Sequence, residues 1–82
     1  MHYSTHLLRH LRLTIGRNIR QLRVEKAMSE SELSCLSNVP ERRLQQYELG
    51  KHKIDLESLF RIACALDTSV RELLANSYIR AV

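Results

Sequence analysis

Tryptophan is absent from this chain, and among its 82 residues phenylalanine occurs once and tyrosine three times. So few aromatics leave a core to be built from Leu, Ile, Val and Ala, the usual filling of small packed helices. One proline and two glycines leave long stretches without a breaker, which helices need and turn-rich sandwiches do not. Cys35 and Cys64 stand alone, with no CxxC pair and no Cys/His cluster, and read as reduced thiols in a cytoplasmic protein. Apolar runs are only a few residues long, too short to span a bilayer, so no membrane partner is expected. No nucleophile is joined to a base at a motif spacing, and no Gly-rich loop is present to cradle phosphates. An enzyme is not expected, and no catalytic residue or cofactor is implied.

Acids are missing from the first 24 residues, a composition shared with transit peptides, but that stretch overlaps the first domain helix and reads as part of the fold. The net charge of +4 and the pI near 9.5 suit a nucleic-acid partner. Its distribution is uneven. Residues 1–26 carry +5, residues 27–50 carry −2 and the remainder carries +1.

Hydrophobic spacing and caps divide the chain into five helices. Ile15, Ile19 and Leu22 recur at helical spacing in a first domain helix from about Thr14 to Lys26, with Arg17, Arg20 and Gln21 facing outward. Ser29 and Glu32 make a capping box for a second helix, Glu30 to Ser37, burying Leu33 and Ser37; Asn38 then opens a turn in the left-handed conformation that Asn tolerates. A third helix is expected from Pro40, whose fixed φ suits a first turn, up to Gly50 at its end; Leu44, Tyr47 and Pro40 are read as its inward face. Asp55 caps a fourth helix, Leu56 to Leu66, whose apolar surface is read as Leu59, Phe60, Ile62, Ala63 and Leu66. Ser69 and Glu72 form a second capping box before a short fifth helix burying Val70, Leu73 and Leu74.

Residues 29–51, SESELSCLSNVPERRLQQYELGK, are the most informative segment: two short helices joined by a tight polar turn. With the flanking IGRNIRQLR and DLESLFRIACALDTSVRELL, this segment resembles the lambda-repressor/Cro-type (Xre-like) helix-turn-helix family over about residues 14–74. The resemblance implies an all-α, five-helix repressor-like domain and a sequence-specific transcription regulator that binds double-stranded DNA, usually as a homodimer. A two-fold operator would then match the protein's own symmetry. Four positions depart from the family pattern: Glu30 stands where Gln is common, Ser34 where Ala is, and Asn38 and Asp67 where Gly is. The last three suit small or left-handed sites; Glu30 places a negative charge where the second helix would approach a phosphate.

In the third helix Arg42 and Gln46 sit one turn apart, flanked by Glu41 and Gln45. Arg matches the two acceptors of guanine, Gln the donor and acceptor of adenine, and Glu accepts from cytosine. The four are candidate base contacts, although a solvated polar face would look similar on any amphipathic helix. Lys51, His52 and Lys53, with Arg43 and Arg17, are candidate phosphate contacts. The resemblance pairs Glu48 with Arg23 in a structural salt bridge. His2, His6 and His10 repeat every four residues, but three His without Cys or carboxylate partners are a weak metal signal, and no metal is expected. The same stretch, residues 1–13, carries Leu7, Leu8 and Leu11 as an extra amphipathic helix outside the family core, and the tail, residues 75–82, carries Tyr78 and Ile79. Leu7, Leu11, Tyr78 and Ile79 are therefore candidate dimer contacts. The rival reading is a protein-interaction module, antitoxin- or antirepressor-like, whose acidic helix pair meets a protein; Glu30 and Glu41 are its support.

Overall fold

Five helices follow one another in the computed structural model, which describes residues 5–75; among these no strand occurs. They are α1 (Thr5–Glu25), α2 (Glu30–Ser37), α3 (Glu41–Glu48), α4 (Leu56–Ala65) and α5 (Val70–Leu73). The first runs nine residues further toward the N-terminus than Ile15, Ile19 and Leu22 alone require, so residues 5–13 are the opening turns of α1 rather than a separate element. No breaker lies between Thr5 and Thr14, and Leu11 packs against the same core as Ile15, which explains the continuity.

The helix ends are set by local chemistry. Ser29 Oγ accepts from the Glu32 amide at 3.0 Å and the Glu32 carboxylate accepts from the Ser29 amide at 3.0 Å, a complete capping box. Asp55 accepts from the Ser58 amide at 2.7 Å. Of the second expected box the structure forms the Ser69 half, its hydroxyl accepting from the Glu72 amide at 3.1 Å. Three helices close with the same pair of backward amide bonds, from Ala27 and Met28 to Val24 and Arg23, from Gly50 and Lys51 to Tyr47 and Gln46, and from Asp67 and Thr68 to Cys64 and Ala63. This closure places the residue after the cap in the left-handed region: Ala27 at φ 53°, Gly50 at 69° and Asp67 at 54°. Asn38 lies there too, at 59°. The turn after it is held by side chains, Ser34 Oγ donating to the Val39 carbonyl at 2.6 Å and Ser37 Oγ accepting from the Val39 amide at 3.3 Å. Serine at position 34 therefore takes part in the turn that separates α2 from α3.

The core is Ile15, Ile19, Leu33, Val39, Leu44, Tyr47, Leu59, Ile62, Ala63, Leu66 and Leu73. Val70 and Leu74 of the fifth helical segment are only partly buried against it. Two expectations about it are corrected. Pro40 is exposed and is the cap of α3, with ψ 138°, so the helix begins at Glu41 and the inward residue of that turn is Val39. An extended ψ at the proline cannot be part of the helix, although its φ of −54° would suit one. Phe60 is 60% exposed, because the buried face of α4 is set by Leu59, Ile62, Ala63 and Leu66 and Phe60 falls outside that arc.

Candidate nucleic-acid interface

Two contacts fix the angle at which α3 is presented. Gly16 on α1 faces the last turn of α3; a Cβ there would collide with the Tyr47 carbonyl oxygen and come within 2.8 Å of the Glu48 oxygen, so only glycine lets the helices approach this closely. About two turns further along α1, Arg23 grips Glu48 with two parallel bonds, Nε to Oε2 at 2.7 Å and Nη2 to Oε1 at 2.9 Å. Its remaining nitrogen, Nη1, donates to the Met28 carbonyl at 2.9 Å, so one side chain ties α1, the turn into α2 and α3 together. The two side chains are 12% and 4% exposed. The Arg23 pKa is raised above its ordinary value, chiefly by the hydrogen bonds to Glu48. Glu48 stands at the negative end of its helix dipole, and the guanidinium supplies the compensation that position requires.

With Leu44 and Tyr47 buried, α3 turns Glu41, Arg42, Arg43 and Gln45 to solvent, while Gln46 is half-buried. Arg43 also lies close enough to the cap of α4 that its charge helps hold the Asp55 carboxyl below the usual range, after the larger effect of the bonds from Ser58. The loop that follows carries Lys51 and Lys53 exposed and His52 between them. His52 is fixed: its Nδ1 donates to the Lys53 carbonyl at 2.8 Å, and its ring stands edge-on to Tyr47 with centroids 5.9 Å apart. A carbonyl can only accept, so Nδ1 carries a proton in this bond, and Nε2 can donate to a phosphate oxygen only from the doubly protonated ring.

Arg17 is exposed on α1, about 40° round the helix from Leu13 but about 100° from Gly16 and about 120° from Arg23, at about 100° per residue. Glu30 is half-buried at the start of α2, where it lines a cleft with Arg20, Arg23, Gln45, Glu48 and Leu49, and its charge acts on Arg23. The acid is thus set among arginines. Leu7 and Leu11 are half-buried, Leu11 against the core, while Tyr78 and Ile79 lie outside the described residues, as does His2. His6 and His10 are exposed on α1.

A short helix set across its neighbour, with a polar outer face and a basic loop behind it, is the arrangement that places side chains against the floor of a major groove. The Helix-turn-helix family model matches residues 19–73. This chain belongs to the Cro/C1-type, Xre-like helix-turn-helix family. Among solved structures, this family member is similar to the restriction-modification controller protein C.AhdI from Aeromonas hydrophila, at 31% identity and TM-score 0.73 over 74% of this chain and 92% of that one. It is similar also to the clp gene regulator ClgR from C. glutamicum, at 30% identity and TM-score 0.76, over 82% of this chain and 87% of that one. A hypothetical transcription factor from Neisseria, NHTF, matches at 28% identity and TM-score 0.75, over 78% and 74% of the two chains. No curated protein sequence matches the chain. The family and its structural relatives make this chain a DNA-binding transcription regulator. No helix among the described residues is long and apolar enough to cross a membrane.

Gly16 is not singled out by the sequence, and Arg20 is marked there only as outward-facing. Their signal was the spacing of Leu13, Gly16, Arg20 and Arg23, which lie on one side of α1 at steps of three and four.

Proposed function

We propose that this regulator binds a two-fold operator as a homodimer, with α3 of each subunit in the major groove of one half-site. The observation that carries this reading is the outer face of α3, where Glu41, Arg42 and Gln45 are exposed on a helix held rigidly by Gly16 and the Arg23–Glu48 pair. Arg42 and Gln46 read base edges, with Glu41 and Gln45 beside them, and Arg43, Lys51, His52 and Lys53 hold the phosphate backbone on either side. Sequence discrimination then comes from α3 and most of the affinity from the loop.

The dimer reading rests on apolar surface that the fold leaves uncovered. Leu56 and Phe60, one turn apart on α4, are 75% and 60% exposed, and Leu56 borders an apolar groove with Leu8, Leu11, Ile15, Ile54 and Leu59. Lys53 lines the same groove, so the surface begins where the phosphate-contacting loop ends. An isologous contact there relates the two subunits by a two-fold axis, and a palindromic site matches that symmetry. The subunit contact we propose joins Leu56 and Phe60 of α4 to Leu7, Leu8 and Leu11 of α1; Tyr78 and Ile79, also candidate dimer contacts, lie outside the described residues. A mobility-shift titration against the promoter of its own gene, repeated across salt and set beside a scrambled duplex, tests the reading. Equal affinity for the two duplexes would contradict it.

A further inference from the structure

We propose that Arg20, on α1, is a phosphate contact that flanks the reading helix. The inference rests on the DNA-binding reading above and extends its contact surface from α3 and its loop onto α1. The line of α1 that meets α3 is marked by two tight approaches, Gly16 against the Tyr47 and Glu48 carbonyls and Leu13 against Gly50, and by the Arg23–Glu48 bond. Arg20 falls on that line between Gly16 and Arg23. Its side chain is exposed and lines the cleft that also holds Gln45 and Leu49, both on the solvent side of α3.

The neighbouring cation is already engaged. Arg23 gives all three of its side-chain nitrogens to Glu48 and Met28, whereas the Arg20 side chain makes no hydrogen bond or ion pair among the described residues. Glu30 opens on the same cleft and offsets one positive charge there, so the guanidinium available to an oxyanion is that of Arg20. An arginine on a long stem at the rim of a reading helix meets a backbone phosphate before it meets a base edge, because the phosphates are the outermost part of the groove wall. Arg20 therefore adds affinity that does not depend on sequence.

The test is DNA binding by the full chain carrying Arg20→Gln or Arg20→Lys, on a preferred duplex and on a scrambled one, over a range of salt. A phosphate contact on B-DNA contributes about 0.9 to the slope of log K against log salt. Arg20→Gln is expected to weaken both duplexes by a similar factor, roughly threefold to tenfold, and to reduce that slope by about one. Arg20→Lys keeps the charge and should keep the slope. Circular dichroism of each variant separates loss of binding from loss of fold. An unchanged slope for Arg20→Gln, while the parent still prefers its duplex, overturns the Arg20 inference alone. Loss confined to the preferred duplex also overturns it, because that result makes Arg20 a base contact. A parent protein that binds no duplex overturns the DNA-binding reading and this inference with it.

Discussion

Arg23 and Glu48 show how a single pair of residues can set the geometry of a surface neither one belongs to. Both side chains are largely buried, and each hydrogen-bonding atom of the guanidinium is used. Removing one partner leaves the other charge without compensation, which costs on the order of 3–5 kcal/mol for a buried pair, whereas replacing both by apolar groups is often nearly neutral. Arg23→Ala should therefore lower the denaturation midpoint strongly, and Arg23→Met combined with Glu48→Leu should recover most of the loss. Urea unfolding followed by circular dichroism measures both. A single substitution that melts like the parent would show that the pair does not hold α3. The position of this pair in the chain was available from the family resemblance. Its third bond, to the Met28 carbonyl, was not, because that bond depends on how the chain turns after α1.

At the scale of the helix, closeness of approach decides what each glycine does. Glycine inside a helix costs about 1 kcal/mol against alanine, so Gly16→Ala ought to stabilise α1 on propensity alone. Here the added methyl would strike the carbonyls at the end of α3, and overpacking of this kind costs about 1–3 kcal/mol. The expected balance is a net loss of up to about 2 kcal/mol, with DNA affinity falling further than stability because α3 is pushed off its angle. A Gly16→Ala variant with a raised melting temperature and intact binding would contradict the packing. Caps bring pH into the same elements. Glu32 is held below the usual carboxylate range by its bonds from the Ser29 amide and hydroxyl, and Asp55 by those from the Ser58 amide and hydroxyl. A carboxylate with a depressed folded-state pKa contributes stability that is complete above its ordinary range, near pH 4, and is lost as pH falls through the lower folded value. Melting temperature should thus stay level from neutral pH to about pH 5 and decline below about pH 4. Asp55→Asn keeps a good capping group but does not titrate, and should make that decline shallower. An identical acid limb in the two proteins would mean that the α4 cap is not the source.

The same scale shows what the amino-acid order made legible. Ser29 with Glu32, Asp55 and Asn38 marked the boundaries of α2 and α4 because a cap is a local event: acceptor, amide and φ lie within four residues of one another. Pro40 misled because proline's φ fits both a first helical residue and an extended cap, and only ψ distinguishes them. Phe60 misled because large apolar residues favour the core, while the arc of α4 that faces inward was already filled by Leu59, Ile62, Ala63 and Leu66. Of the candidate interface, the outward face of α3 follows from the burial of Leu44 and Tyr47, which their spacing announced. The cleft that joins Arg20 to Gln45 and Leu49 depends on the crossing of α1 over α3, and no periodicity within one helix reports that.

For the whole molecule, uncovered apolar surface and net charge point to two kinds of partner. Leu56 and Phe60 lie in contact range of solvent on a chain of only 82 residues, and pairing with a second copy would bury them. Sedimentation equilibrium at tens of micromolar should give the mass of two chains for the parent and of one for Phe60→Glu, with helical content unchanged. A monomeric parent would remove the dimer from the account. The charge of +4, concentrated on α1 and on the loop after α3, favours encounter with DNA but carries no sequence information. In the proposed reading, discrimination comes from α3. Its most direct test uses a duplex selected by the protein from a random-sequence pool, titrated beside a scrambled duplex with the parent and with Arg42→Ala. A bidentate contact from arginine to guanine is worth about 1–3 kcal/mol, so Arg42→Ala should weaken the selected duplex by about 5- to 150-fold and the scrambled one by less than about twofold. Equal loss on both duplexes, or no loss on either, would contradict the claim that this helix reads sequence.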